Sequence, residues 1–205
     1  MVNINARDFP GILNESPYED PWMVLQRKVE NKHKFVGNKY TEHGNKFESA
    51  ALTYYENKYG CKIARNQPII HHPEHNWITG IVDGININTG QIIEIKCPWK
   101  KNSKKITVKD VPFSYWIQCQ VYMNILNINE TIYAEYYVKS TDKTDGSVGS
   151  MNAVIIQKDN QWWSKNIEKI KHFYNEMNFW LEQGSLKQHP ISLTHKKWQN
   201  NNFSL

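Results

Sequence analysis

The stretch QIIEIKCPWKK, residues 91–101, sets a carboxylate and an ammonium, Glu94 and Lys96, among branched apolar residues. Residues two apart in a strand share a face, so Glu94 and Lys96 would stand together while Ile93 and Ile95 point the other way. Just upstream, Thr89 and Gly90 read as a hairpin turn. With those two as the loop, Ile85 pairs with Glu94 and Asp83 with Lys96, and directly opposite residues face the same side. Asp83, Glu94 and Lys96 then converge. A four-residue loop keeps that parity, whereas a three-residue loop breaks it unless a bulge intervenes. Two carboxylates and a lysine on a half-buried face suit a hard cation: Mg2+ takes about six oxygens at roughly 2.0–2.1 Å. Such an ion polarises a phosphodiester and lowers the pKa of an attacking water. Lys96 would orient that water, take its proton if the amine's pKa is depressed, or neutralise charge on the phosphate. The competing assignment is a cross-strand salt bridge between Asp83 and Lys96 on a solvated sheet, which would carry no functional meaning.

The elements that must position these residues are legible in outline. Asp20 before Pro21 is a cap-and-first-turn signal for a helix over about 22–30. Thr41 and Gly60 bracket a second helix, in which Phe47, Ala51, Tyr54, Tyr55 and Tyr59 keep helical spacing. Glu48 lies on it, a third carboxylate within reach of the same metal. KIARNQPII and WITGIVDGININ read as strands around the loop HHPEHN, with the third strand after Gly90. SYWIQCQVYMNIL is helical and puts Gln118 and Tyr122 on one face, with Tyr115 close to it. TIYAEYYV and NAVIIQ are two more strands, and Trp163, Ile167, Ile170, Tyr174, Met177 and Leu181 stripe a long last helix that Gly184 stops. The order predicts one mixed α/β domain over residues 1–184, with residues 185–205 as an extended arm or frayed tail.

At 205 residues, 40% hydrophobic and 22% charged, the chain is long enough for one core and too apolar to be disordered. Its apolar runs are far shorter than a membrane span and no secretory leader follows Met1, so a soluble intracellular protein is expected. Three cysteines, Cys61, Cys97 and Cys119, form no CxxC and exclude a disulfide scaffold. The formal charge of +5 favours a polyanionic partner, chiefly because Lys96, Lys100, Lys101, Lys104, Lys105 and Lys109 crowd residues 96–109. That loop would follow DNA phosphates, with Trp99 stacking on a base or wedging a duplex end. HHPEH, residues 71–75, offers three histidines but no fourth zinc ligand and fits a hairpin tip better.

Taken in order, four motifs resemble the lambda-exonuclease-like, YqaJ-type viral recombinase branch of the PD-(D/E)xK nucleases. ARDFPGILNESPYEDPW resembles its N-terminal helix and turn, and HGNKFESAALTYYENKYG its glycine–glutamate helix. NWITGIVDGI with TGQIIEIKCP resembles the acidic core, and YWIQCQVYM the glutamine helix, so the likeness runs over roughly residues 5–183. The resemblance implies a restriction-endonuclease-like fold, a mixed central sheet flanked by helices. It implies that Asp83, Glu94 and Lys96 are the catalytic set, that the Ile95 carbonyl is a metal ligand, and that Glu48 assists at a second Mg2+, with Mn2+ as an alternative ion. Gln118 or Gln120 would hold the substrate backbone or water. Tyr115, Trp99, Lys100, Lys101, Lys104 and Lys105 would line the DNA path. The family's small serine-containing step reads INAR here, which leaves Arg7, Arg27 or Lys28 to meet a 5′-phosphate. Members of this branch degrade linear double-stranded DNA from the 5′ end. The lambda enzyme is a ring-shaped trimer that works with a single-strand annealing protein. The alternatives are a flap, single-strand or endonucleolytic nuclease, or a DNA-binding module that keeps the fold without turnover.

Overall fold

A computed structural model describes residues 2–32, 36–99, 105–139 and 146–193. The chain runs through strand β1 (Ile4–Asn5), a 3-10 turn (Ala6–Asp8), and helices α1 (Phe9–Ile12), α2 (Pro21–Val29) and α3 (Lys39–Tyr59). Five strands follow: β2 (Ile63–Ala64), β3 (Ile70–His71), β4 (Ile78–Gly80), β5 (Gly84–Asn86) and β6 (Ile92–Lys96). Helix α4 (Phe113–Leu126), strands β7 (Glu130–Val138) and β8 (Gly149–Gln157), and helices α5 (Asn160–Gln183) and α6 (Pro190–Leu193) complete it.

The main sheet has the order β2-β5-β6-β7-β8 and is antiparallel except where β6 runs parallel to β7. A parallel pair needs a crossover, and α4 supplies it. The small sheet β1-β4-β3 joins the N-terminus to the hairpin around HHPEH. Strand β6 divides its side chains between two cores. Ile93 and Ile95 pack with Ala51, Leu52 and Tyr55 of α3, whereas Ile92 packs with Ile117, Val121 and Tyr122 of α4 and with α5. The central sheet is therefore covered on both faces, which is why β6 reads as a near-continuous apolar run.

Helix starts and stops follow local chemistry. Asp20 caps α2 by accepting the Met23 N–H at 2.8 Å. Helix α3 begins earlier than Thr41: Asn38 is its cap, and Thr41 closes the capping box three residues on. Gly60, at φ 63°, ends α3 in the left-handed conformation expected of it. The stripe on α5 packs into the main core as its spacing predicts.

Two expected strands are each broken. The 62–70 run splits around Asn66, which sits at φ 54°. The 77–88 run changes sheets between β4 and β5, so Asp83 stands where the chain enters the main sheet. The hairpin loop is four residues, 87–90, not two. The Asn86 N–H donates to Gln91 and the Asn86 side chain accepts from Asn88 and Thr89. Ile85 consequently pairs with Ile92 and Gly84 with Ile93. Continued by one step, that register sets Asp83 opposite Glu94 rather than Lys96, and parity is unchanged.

Residues 185–193 do not trail away. Leu186 is buried in the main core, and the His189 ring lies 4.7 Å from Trp22 and 5.0 Å from Trp180. No described helix is long and apolar enough to cross a membrane.

Candidate active site

Two glycines let two helices close on the segment that carries Asp83. A Cβ on Gly84 would meet Ile63 at 2.4 Å and Leu52 of α3 at 3.2 Å, so only glycine admits that approach. Glu48 lies one turn before Leu52 on the same helix face, and this packing carries it toward Asp83. Across the sheet, a Cβ on Gly80 would meet the Tyr122 ring of α4 at 2.7 Å. The Tyr122 hydroxyl donates to the Ile81 carbonyl at 2.7 Å and accepts from Gln118 Nε2 at 2.7 Å. Gln118 is thus held one turn from Tyr122, beside the same segment.

Between these helices, strand β5 gives way at Asp83, whose Oδ2 accepts the Ile95 N–H at 2.7 Å. A side chain replaces the backbone partner that β5 would have provided. Because a strand residue's N–H and C=O leave on one flank, the Ile95 carbonyl opens toward Asp83 as well. Glu94 is only 1% exposed; its Oε1 accepts from Lys96 Nζ, and its Oε2 is buried without a hydrogen-bond partner. Burial, and then the charge of Asp83, push the Glu94 carboxyl up to about 8. Burial also raises Asp83 and Glu48, with Asp83 adding to the shift on Glu48. Lys96 behaves differently. Burial alone would lower it, but Glu94 and Asp83 outweigh that and hold it well above its ordinary value. Its ammonium also lies 4.7 Å from the Tyr115 ring centre. Between these carboxylates Lys96 stands as a positive charge and a hydrogen-bond donor.

Other expected residues divide sharply. Arg7 is exposed, and its charge favours the ionised form of Asp83, which places it beside the carboxylates. Arg27 instead bonds to both Asp8 and Glu19, and Lys28 bonds to Asp8 and the Asn3 carbonyl. Neither is available for a phosphate, which corrects the expectation for both. Gln120 is also misassigned. It is fully buried, donating to the Gln157 carbonyl at 2.8 Å and accepting from the Asp159 N–H at 2.7 Å, so it braces β8 against α5. Trp99 and Lys105 are exposed at the two ends of the basic loop, and Lys100, Lys101 and Lys104 lie outside the described residues. The histidine hairpin is structural: His72 Nδ1 accepts the N–H groups of Glu74 and His75, and its ring stacks on Trp163. Cys97 is pushed up to about 12 by burial and by Glu48 and Asp83, which suits packing rather than nucleophilic attack.

Glu135 escapes a reading of the sequence. It is paired in register with Lys96 across the parallel β6–β7 ladder and is buried, and it accepts from the Tyr133 and Tyr137 hydroxyls. Its only signal is an acid in the otherwise apolar run TIYAEYYV.

Among the described residues no three His, Cys, Asp or Glu side chains stand ready-gathered as a metal-ligand set. The residues present nonetheless fit a divalent cation. One buried oxygen of Glu94 has no donor, Asp83 raises both Glu48 and Glu94, and among the described residues Lys96 is the one cation in an ion pair with them.

The fold matches that of alkaline exonucleases. Superposition on the alkaline exonuclease LHK-Exo of Laribacter hongkongensis gives a TM-score of 0.69 at 18% identity, covering 93% of this chain and 94% of that one. A phage-related exonuclease from Haemophilus somnus 129PT gives 0.65 at 19% identity, over 89% and 94%. This is the restriction-endonuclease-like α/β class, as the sequence motifs imply. Residues 3–136 match the YqaJ-like viral recombinase domain, and the chain belongs to that family. An uncharacterised protein of Acanthamoeba polyphaga mimivirus is 25% identical over 166 residues, 75% of this chain and 30% of that protein. The uncharacterised YqaJ of Bacillus subtilis is 31% identical over 83 residues, 40% of this chain and 26% of that protein. The chain thus matches less than a third of either relative's length.

Proposed function

We propose that the protein is a metal-dependent deoxyribonuclease that hydrolyses linear double-stranded DNA from its 5′ end. The observation that carries this is the acidic charge at β6: Glu94 bonds to Lys96 beside Asp83, Glu48 lies close enough for Asp83 to raise it, and a buried Glu94 oxygen has no partner. Membership of the recombinase family and a fold shared with two exonucleases support the choice of DNA as substrate.

Asp83 and Glu94, with the Ile95 carbonyl on the same flank, would hold a first Mg2+ or Mn2+, and Glu48 would turn to a second from α3. When bound, the metal supplies Lewis acidity to the phosphodiester and to the attacking water. Lys96, kept protonated, contributes a fixed positive charge where the phosphorane builds up negative charge. It stays aimed because Tyr115 lies beneath it and Glu94 beside it. Gln118, braced by Tyr122, presents an amide to a substrate oxygen. Arg7 at the rim adds charge for a terminal phosphate.

The test uses 5′-labelled linear duplex and covalently closed circles with Mg2+, with EDTA, and with Asp83→Ala and Lys96→Ala. Wild type should degrade the linear substrate, spare the circles and stop in EDTA. Each variant should be slower by on the order of 10²–10³. Cleavage of the circles would reassign the protein as an endonuclease. Variants that cut as fast as wild type would remove these residues from catalysis.

A further inference from the structure

Helix α3 has a second functional end. Two turns before Glu48 it presents Tyr40 and His43 to Trp99, the residue three positions beyond Lys96. The Tyr40 and Trp99 rings are each 55% exposed and meet edge to face, with centroids 5.9 Å apart. His43 lies 5.0 Å from Trp99 and 4.8 Å from Phe47, and its buried Nε2 has no hydrogen-bond partner. The Lys39 ammonium is 5.2 Å from the Tyr40 ring and 6.0 Å from that of Trp99. Two large aromatics left half in solvent, under one cation and beside the lysine-rich loop, are costly as simple packing. Exposed π-faces interleaved with lysines are what an unpaired nucleic-acid strand requires.

We infer that Tyr40 and Trp99, with Lys39 above them, form a platform on which an unpaired DNA base stacks next to the cleavage site. This rests on the nuclease reading and adds a strand-separating function to it. Charge complementarity selects the occupant, since the Lys39 ammonium lies over both platform rings and that of Lys46 lies 5.0 Å from the Phe47 ring. Eight residues separate Tyr40 from Glu48, about 12 Å along a helix. At about 3.4 Å per stacked nucleotide that is roughly three to four positions from the carboxylates. His43 and Phe47 form the floor that fixes the Trp99 ring. Duplex DNA buries its base faces, so the platform favours a frayed end or a single-stranded overhang over a blunt one.

The experiment uses the full chain in Ca2+ with a hairpin duplex, either blunt or carrying a four-nucleotide overhang with 2-aminopurine at each position in turn. Wild type should bind the overhang about tenfold more tightly than the blunt end and change the 2-aminopurine signal at one or two positions. Trp99→Ala and Tyr40→Ala should lose both effects, with a larger fold loss of affinity for the overhang than for the blunt end, and Trp99→Phe should keep most of them. Overhang binding and signal unchanged in both alanine variants would overturn the platform, as would equal losses on blunt and overhanging DNA. Thermal melting of each variant separates these outcomes from misfolding. A stacking signal without any Mg2+-dependent cleavage would leave the platform standing and refute the nuclease reading. Cleavage with no stacking signal would do the reverse.

Discussion

Two clusters of acids and bases in the molecule are balanced in opposite ways. In the first, Asp8 and Glu19 face Arg27 and Lys28. Arg27 reaches Asp8 at 3.1 Å and both oxygens of Glu19 at 3.0 Å, and Lys28 reaches Asp8 at 2.6 Å. The Asn5 N–H adds a further donor to Asp8 at 2.8 Å. Two negative charges meet two positive ones and every one is bonded. In the second, Lys96 is the one cation that forms an ion pair with these acids among the described residues, Arg7 acts on Asp83 from the exposed rim, and a buried Glu94 oxygen has no donor. A complete buried network fixes structure, because it has nothing left to offer a ligand. An incomplete one leaves a deficit of positive charge that a bound cation would fill, as proposed for this site. Residue type alone does not separate the two cases; the charge count around each group does.

The largest expected effect separates the clusters by stability. Asp8→Ala removes a buried carboxylate from two part-buried cations, leaving Arg27 with Glu19 and Lys28 with the Asn3 carbonyl, and should cost about 2–3 kcal/mol in urea unfolding. Cleavage per folded molecule should be nearly unchanged. Glu94→Gln should do the opposite. It puts a neutral amide where the folded protein keeps a carboxyl protonated up to about 8, so near neutral pH stability should stay within about 1 kcal/mol of wild type. Its cleavage rate should fall by on the order of 10²–10³. If Glu94→Gln unfolds as readily as Asp8→Ala, the second cluster is structural too and the contrast collapses.

A smaller effect sharpens the contrast through pH. An unfolded Glu94 releases its proton near 4.5, whereas burial and Asp83 hold it in the folded protein up to about 8. Between those values the folded state binds the extra proton, so this group's stabilisation is complete below about 4.5 and is lost as pH rises toward 8. The slope is at most about 1.4 kcal/mol per pH unit. Melting in EDTA, wild type minus Glu94→Gln, should therefore fall between pH 5 and 8. Mg2+ competes for the same oxygens, so it should raise wild-type melting most at pH 8 and least at pH 5. A difference that rises with pH in EDTA would contradict the charge deficit.

What could be read in the sequence follows from which geometry is local. The face shared by Asp83, Glu94 and Lys96 survives a hairpin two residues longer than expected, because sheet parity repeats every two residues. Glu48 was placed by helical spacing. Its close approach depends on Gly84 admitting Leu52, a contact between residues 32 apart in the chain. Arg27 and Lys28 look free in sequence because Asp8, which claims both, lies 19 and 20 residues earlier. Glu135 needed the parallel β6–β7 register, and Gln118 could be told from Gln120 only by which side of α4 meets Ile81 and which meets β8. In each case long-range pairing decided the contacts that residue type left open.

The smallest effect tests the rim, where an arginine of each kind can be compared. Arg7 is exposed beside Asp83, and among the described residues its guanidinium forms no ion pair. Arg27 is committed to Asp8 and Glu19. A side chain that contacts a phosphate releases about one counterion on binding, whereas one already neutralised inside the protein releases none. Arg7→Ala should therefore reduce the slope of log K against log salt by about one for duplex ends, with less than a tenfold loss of affinity near physiological salt. Arg27→Ala, measured where the protein remains folded, should leave that slope unchanged. If both variants shift it equally, Arg27 leaves its acids to meet DNA, and the first cluster would have to be counted as part of the binding surface.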